Sequence, residues 1–142
     1  MTAKQYLKQL QKLDIVIRQK NEEVQQLRES LTSIGAINVS DERVMGGLVD
    51  PNAHYVDQIL KINELEKIIG YEINNFTQFK HTIINQIQSL SNCNYIEVLY
   101  KRYVQFQSLE QIAVDLNYSY QYIRVMHGCA LQNFQQTFNK II

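Results

Sequence analysis

Over residues 2–34, apolar side chains recur in alternating steps of three and four: Ala3, Tyr6, Leu10, Leu13 and Ile17, then Val24, Leu27, Leu31 and Ile34. Such a seam returns to one side of an α-helix about once per turn, which is the pattern of coiled-coil packing. It predicts one helix from Thr2 to Ile34, with Lys20 the single charge in the seam and a solvated outer face. The pattern stops at Gly35 and resumes at Ala53. Gly35 reads as a helix stop, Gly46-Gly47 as flexible backbone, and Asp50-Pro51-Asn52 as a turn. The aperiodic stretch 35–52 is expected to be a mobile loop. Arg43 before Gly46-Gly47 does not make a phosphate loop, because Gly-Lys-Ser/Thr is missing.

A second seam then runs through Tyr55, Ile59, Ile62, Glu66, Ile69, Ile73, Phe76, Lys80, Ile83, Ile87 and Leu90, widened by Leu60, Leu65 and Phe79. Two long helices joined by one loop predict an antiparallel, coiled-coil-like hairpin over 1–91, which could also self-associate. Closing the loop near Ile34 and Ala53 makes facing residue numbers total about 87. That sets Lys20 close to Glu66. Gly70 in mid-helix points to a close helix approach.

Ser91-Asn92-Cys93-Asn94 reads as a boundary, with Asn94 a candidate N-cap. A short helix from Tyr95 to Phe106 follows, directing Ile96, Leu99, Tyr103 and Val104 or Phe106 inward. The next stretch, 108–127, has the pattern of a helix-turn-helix. Its first helix carries Leu109, Ile112, Ala113 and Leu116 on one face. Asn117 stands where the turn needs a residue that tolerates positive φ. Ser119 is a good N-cap for the second helix, which buries Ile123, Met126 and Ala130. Ala113 supplies the small side chain that a steep helix crossing requires. Tyr118 is expected among the apolar contacts that lock the pair. Beyond His127 the helix continues through Leu131, Phe134, Phe138 and Ile142, and this tail is expected to pack on the hairpin or on a second subunit.

Composition changes the picture in two ways. Forty-five per cent apolar residues, one Pro and five Gly among 142 residues support a packed all-α chain. No apolar stretch approaches the roughly 18 residues that span a membrane, and no charged leader precedes an apolar run, so a cytoplasmic location and no membrane partner are expected. Charge argues the other way from a nucleic-acid reading. The formal net charge is zero, and from Asn94 onward Lys101, Arg102, Arg124 and Lys140 face Glu97, Glu110 and Asp115, a balance of only +1.

The residues Ser108-Leu-Glu-Gln-Ile-Ala113, Ile123-Arg124-Val-Met126 and Ala130-Leu-Gln-Asn-Phe134 resemble the fourth conserved region of bacterial sigma factors. With Met-Thr-Ala-Lys-Gln-Tyr-Leu at the start and Val98-Leu-Tyr-Lys-Arg-Tyr103 before the motif, the chain is similar to phage late-transcription regulators of the RinA/ArpU/Ltr type. The resemblance implies a helical hairpin followed by a sigma region 4-like helix-turn-helix domain over 92–142. It implies a DNA-binding regulator, an activator of late genes, with double-stranded DNA as partner, host RNA polymerase as a further one, and a homodimer through the long helices as an option. On the second helix it implies DNA contacts from Ser119, Tyr120, Gln121, Tyr122, Arg124, Val125 and Gly128, with Lys101, Arg102 and Arg124 on phosphates. Tyr120, Gln121 and Val125 fall in base-reading slots that commonly hold Arg, Glu and Gln in sigma factors. The standard −35 sequence is therefore not expected as the target, and an A·T-leaning site is.

Two alternatives belong to other classes: a DNA-packaging subunit resembling a small terminase, and a helix-turn-helix used only against protein. No enzyme is expected. His54, His81 and His127 are isolated, no Cys-x-x-Cys or nucleophile motif appears, and neither a metal nor a cofactor is implied. Cys93 and Cys129 read as reduced, partly buried thiols.

Overall fold

The computed structural model describes residues 1–40 and 51–142, with side chains described for 1–31 and 53–142. The fold is all-α: α1 (Ala3–Ser40), α2 (Pro51–Gln88), α3 (Cys93–Leu99), α4 (Leu109–Leu116) and α5 (Tyr120–Thr137), with a π-helical turn at Tyr100–Val104 prolonging α3. Among the described residues no helix is long and apolar enough to cross a membrane. The chain divides into two compact units, one of residues 15–74 and one of residues 1–14 with 75–142. The division runs through both long helices, whereas the sequence places its boundary at 91/92.

In the unit of residues 15–74, α1 and α2 run antiparallel. Val24, Ile62 and Ile69 are buried together, and Leu27, Leu31 and Leu65 pack against them. The register differs from expectation. Lys20 pairs with Glu72, and Glu66 pairs with Arg28. Facing numbers total 92 for the first pair and 94 for the second, not about 87. The cause is helix length. Gly35 does not stop α1, which continues to Ser40, while α2 begins at Pro51. A helical glycine costs only about 1 kcal/mol, too little to end a long packed helix. Pro51 sits at the first helical position, where its missing N–H is not needed. The rest of the expected mobile loop, 41–50 with Arg43 and Gly46-Gly47, lies outside the described residues.

Other expectations for α2 fail: Tyr55 and Ile73, placed in the packed seam, are 42% and 43% exposed. Leu60 does not widen the packed face; it is more than half exposed. Gly70 permits no close approach within the chain, because a Cβ built there meets nothing within 4 Å. Gly70→Ala is therefore expected to raise stability by about 0.5–1 kcal/mol through backbone entropy alone. A urea titration checks this, and a loss of stability would mean that a neighbour occupies the space.

The other unit has two cores. In the first, Tyr6, Leu7 and Leu10 of α1, Ile83 and Ile87 of α2, and Ala130 and Phe134 of α5 are buried with Leu90, Leu99, Tyr103 and Val104. Leu7, absent from the expected seam, is fully buried. The start of α1 is fastened by a capping box: Gln5 N–H donates to Thr2 Oγ1 at 3.2 Å and Thr2 N–H to Gln5 Oε1 at 3.0 Å. Ala3 N–H also donates to Gln135 Oε1 on α5. Tyr6 meets Phe79 edge to face (centroids 5.6 Å apart, planes at 82°), and its hydroxyl donates to Gln86 Oε1 at 3.0 Å. Lys80, a charge in the α2 seam, holds its ammonium 5.8 Å from the Phe76 ring centre.

The second core is Val98, Ile112, Ala113, Ile123 and Met126, and it holds the last three helices together. Asn92, not Asn94, caps α3 by accepting from Asn94 N–H at 2.9 Å. After Leu99 the backbone widens, with Gln105 N–H reaching Tyr100 O at 3.1 Å. The π-helical turn keeps both Tyr103 and Val104 on the packed side. Phe106 then ends the segment at φ 58°. Arg102 Nη1 donates to Gln107 O just beyond it.

Candidate nucleic-acid interface

The interface is built on two serine caps and one left-handed turn. Ser108 Oγ accepts from Gln111 N–H at 3.2 Å and opens α4; Ser119 Oγ accepts from Tyr122 N–H at 3.1 Å and opens α5. Between them Asn117 adopts φ 58°, ψ 39°, the left-handed conformation expected of it. That turn lets Tyr118 N–H bond Ala113 O at 3.0 Å, closing the end of α4. Ile112, Ala113, Ile123 and Met126 are buried where α4 and α5 meet, over Val98 of α3. Val98 was not among the expected inward residues; Ile96, which was, is only partly buried.

Burying Ile123, Met126 and Ala130 turns the opposite side of α5 to solvent. At 100° per residue, Gln121, Arg124, Val125 and Gly128 form one outward stripe, and all four are exposed. Val125 is 64% exposed. Gly128 leaves open space for a Cβ, so no packing within the chain requires glycine there. Gln132, exposed on the same side one turn further on, prolongs the stripe and was not foreseen. Ser119, Tyr120 and Tyr122 are also exposed, but the Ser119 hydroxyl already serves as the cap. Tyr118 does not lock the two helices together. It is 43% exposed and packs on Tyr122, centroids 4.7 Å apart. Left-handed Asn117 swings the next residue away from the core, and this sends Tyr118 outward. On α4, Val114 is 71% exposed.

The expected phosphate-binding cations differ among themselves. Arg124 is exposed and makes no ion pair among the described residues. Lys101 and Arg102 are half-buried; Lys101 Nζ lies 4.0 Å from Asp115 Oδ2, and Arg102 is turned to the Gln107 carbonyl. Cys93 and Cys129 are free but exposed rather than partly buried, and Cys129 lines a shallow groove with Tyr95, Tyr122 and Val125. Among the described residues no three His, Cys, Asp or Glu side chains cluster as a metal site would require.

His127 packs against Tyr103. A 2.8 Å hydrogen bond joins its Nε2 to Tyr103 Oη, and the rings stack 5.7 Å apart. Burial, with the positive charges of Arg102 and Lys4 adding to it, lowers the ring's pKa to about 4. Burial pushes the Tyr103 hydroxyl up to about 12, against the pull of Arg102. The folded protein thus keeps His127 neutral down to a pH at which the unfolded chain has already protonated it. The contribution is complete above pH 6.5 and is lost as pH falls from 6.5 to about 4. Discounted for the ring's partial exposure, it amounts to about 1–2 kcal/mol. The stability gap between the parent and His127→Gln should therefore shrink over that window in urea melts. A gap independent of pH would mean that the folded state accepts the proton.

No protein-family model, curated protein or solved structure matches the chain at a significant level.

Proposed function

We propose that this chain is a transcription regulator that binds double-stranded DNA by laying the N-terminal half of α5 in the major groove. The observation that carries this reading is the outward stripe of Gln121, Arg124, Val125 and Gly128 on the second helix of a doubly capped helix-turn-helix. Gln121 suits adenine, Val125 suits a thymine methyl group, and Arg124 suits a phosphate. The relation to phage late-gene activators of the RinA/ArpU/Ltr type is part of the same proposal, as is contact with host RNA polymerase. The role is that of a binding module rather than an enzyme. With Lys101 beside Asp115, few cations are left for phosphates, so affinity must be supplemented by a second copy or by polymerase.

Footprinting on DNA flanking the protein's own gene would locate a site, and binding isotherms on matched and scrambled duplexes at several salt concentrations test the reading. Gln121→Ala is expected to lose roughly tenfold in affinity, about 1.4 kcal/mol, on the matched duplex only. Arg124→Ala should weaken both duplexes alike and reduce the log–log salt slope by about one. If neither substitution changes binding, α5 is not the reader. In that case the exposed Val114, Tyr118, Tyr122 and Val125 favour a module that recognises protein. A large closed ring in solution would instead favour DNA packaging.

A further inference from the structure

Within the unit of residues 15–74, α2 is apolar on two opposite faces. Ile62, Leu65 and Ile69 face α1. Across the helix, Val56, Leu60 and Tyr71 are 52%, 55% and 68% exposed, while Ile68, 46% exposed, lies on the flank beside Leu65 and Leu27. The middle of this outer face carries Glu64 and Lys67, both exposed.

The order of these residues is self-complementary. Positions 57, 60, 64, 67, 71 and 74 follow steps of three and four, a heptad seam on the side away from α1. When a second α2 lies antiparallel with the two-fold axis between Leu65 and Glu66, Leu60 meets Tyr71 of the second copy. Glu64 meets Lys67, and Asp57 meets Asn74. Each contact then occurs twice, as an isologous interface requires. Parallel alignment would set Glu64 on Glu64 and Lys67 on Lys67. We infer that the outer face of α2 is a homodimer interface, with two copies packed antiparallel about this axis. The inference does not rest on DNA binding. The polar residues in the seam make it a weak, reversible association.

Sedimentation of the full chain from about 10 µM to about 1 mM spans the range in which weak interfaces dissociate. The mass should rise from the 16.7 kDa of the monomer toward twice that value. Glu64→Lys and Lys67→Glu, each alone, should weaken dimerisation at least tenfold, since each sets two like-charged pairs across the axis. Mixed one to one, the two variants should associate again, because every pair at the axis is then of opposite sign. Unchanged far-UV circular dichroism would show that both variants keep their helices; a variant that loses them is replaced by Tyr71→Ser, which should also stay monomeric. A parent that is still monomeric at 1 mM, or a mixture no heavier than its parts, would overturn the inference. So would assembly beyond a dimer.

Discussion

Replacing Phe134 by alanine is expected to remove about 3–5 kcal/mol of stability, the largest loss foreseen for any single side chain here. Phe134 is completely buried. Its ring lies 6.2 Å from Tyr6 and 4.8 Å from Phe138, so one side chain joins the first turns of α1 to the last turns of α5. Truncation would leave a cavity walled by residues whose positions are already set by other contacts. Tyr6 is held by Phe79 and by Gln86, and the start of α1 by the Thr2–Gln5 capping box. Collapse into the space is therefore restricted, which places the cost toward the upper end. Against a typical total of roughly 5–15 kcal/mol the variant is marginal at best. Phe138→Ala, at a half-buried ring, should lose much less, and Phe134→Leu should recover most of the loss. Urea unfolding of the three variants gives the ranking. A loss below about 1 kcal/mol for Phe134→Ala would mean that the end of α5 does not share a core with α1.

The sequence was most readable where short-range chemistry decides the structure. Asn117 and Ser119 act within three residues of themselves, by a positive φ and a cap, and each does what its side chain predicts, while Ser108 caps α4 without having been read as a cap. The inward positions of α5 follow from helical spacing, with Ile123 and Met126 in one core and Ala130 and Phe134 in the other. The register of the long helices was less readable because a heptad seam looks the same after a shift of one repeat. Only the lengths of the helices set it, and these turned on Gly35, whose propensity is a weak signal against a long run of packed neighbours. Lys20 and Glu66 do find opposite charges, but on Glu72 and Arg28. Val98 faces one core and Leu99 the other, so no single apolar stripe along α3 could give the burial of Val98 in place of Ile96.

The candidate interface divides in the same way. The outward stripe on α5 is the complement of its buried positions and needs no further information. The state of the cations does. Lys101 and Asp115 are fourteen positions apart on different helices, and Tyr103 and His127 are twenty-four apart. No spacing rule connects such pairs; they meet because α4 and α5 fold back on α3. A charge count alone therefore overstates what is available to phosphate, and a lone histidine in the sequence proves to be a packed, neutral one.

Ala113→Leu tests the helix crossing itself and is expected to cost about 3 kcal/mol, the upper end for an enlarged core residue. Ala113 is 5% exposed and lies among Val98, Ile112, Ile123 and Met126, where α4 passes over α5. Its methyl group sets how closely the two backbones approach. Leucine adds three carbons at that point, and neither helix can retreat easily. The end of α4 is tied to its turn by the Tyr118 N–H to Ala113 O bond, and α5 is anchored beyond the crossing by Ala130 and Phe134. The neighbouring position provides the control. Val114 is 71% exposed on the other side of α4, so Val114→Leu should change stability by no more than about 0.5 kcal/mol. Helix propensity, which falls slightly from alanine to leucine and rises from valine to leucine, separates the two by well under about 1 kcal/mol, so a difference near 3 kcal/mol reports burial. Equal melting temperatures for the two variants would show that α4 and α5 do not cross at Ala113. A loss confined to Ala113→Leu would establish the close crossing on which the exposed stripe of α5 depends.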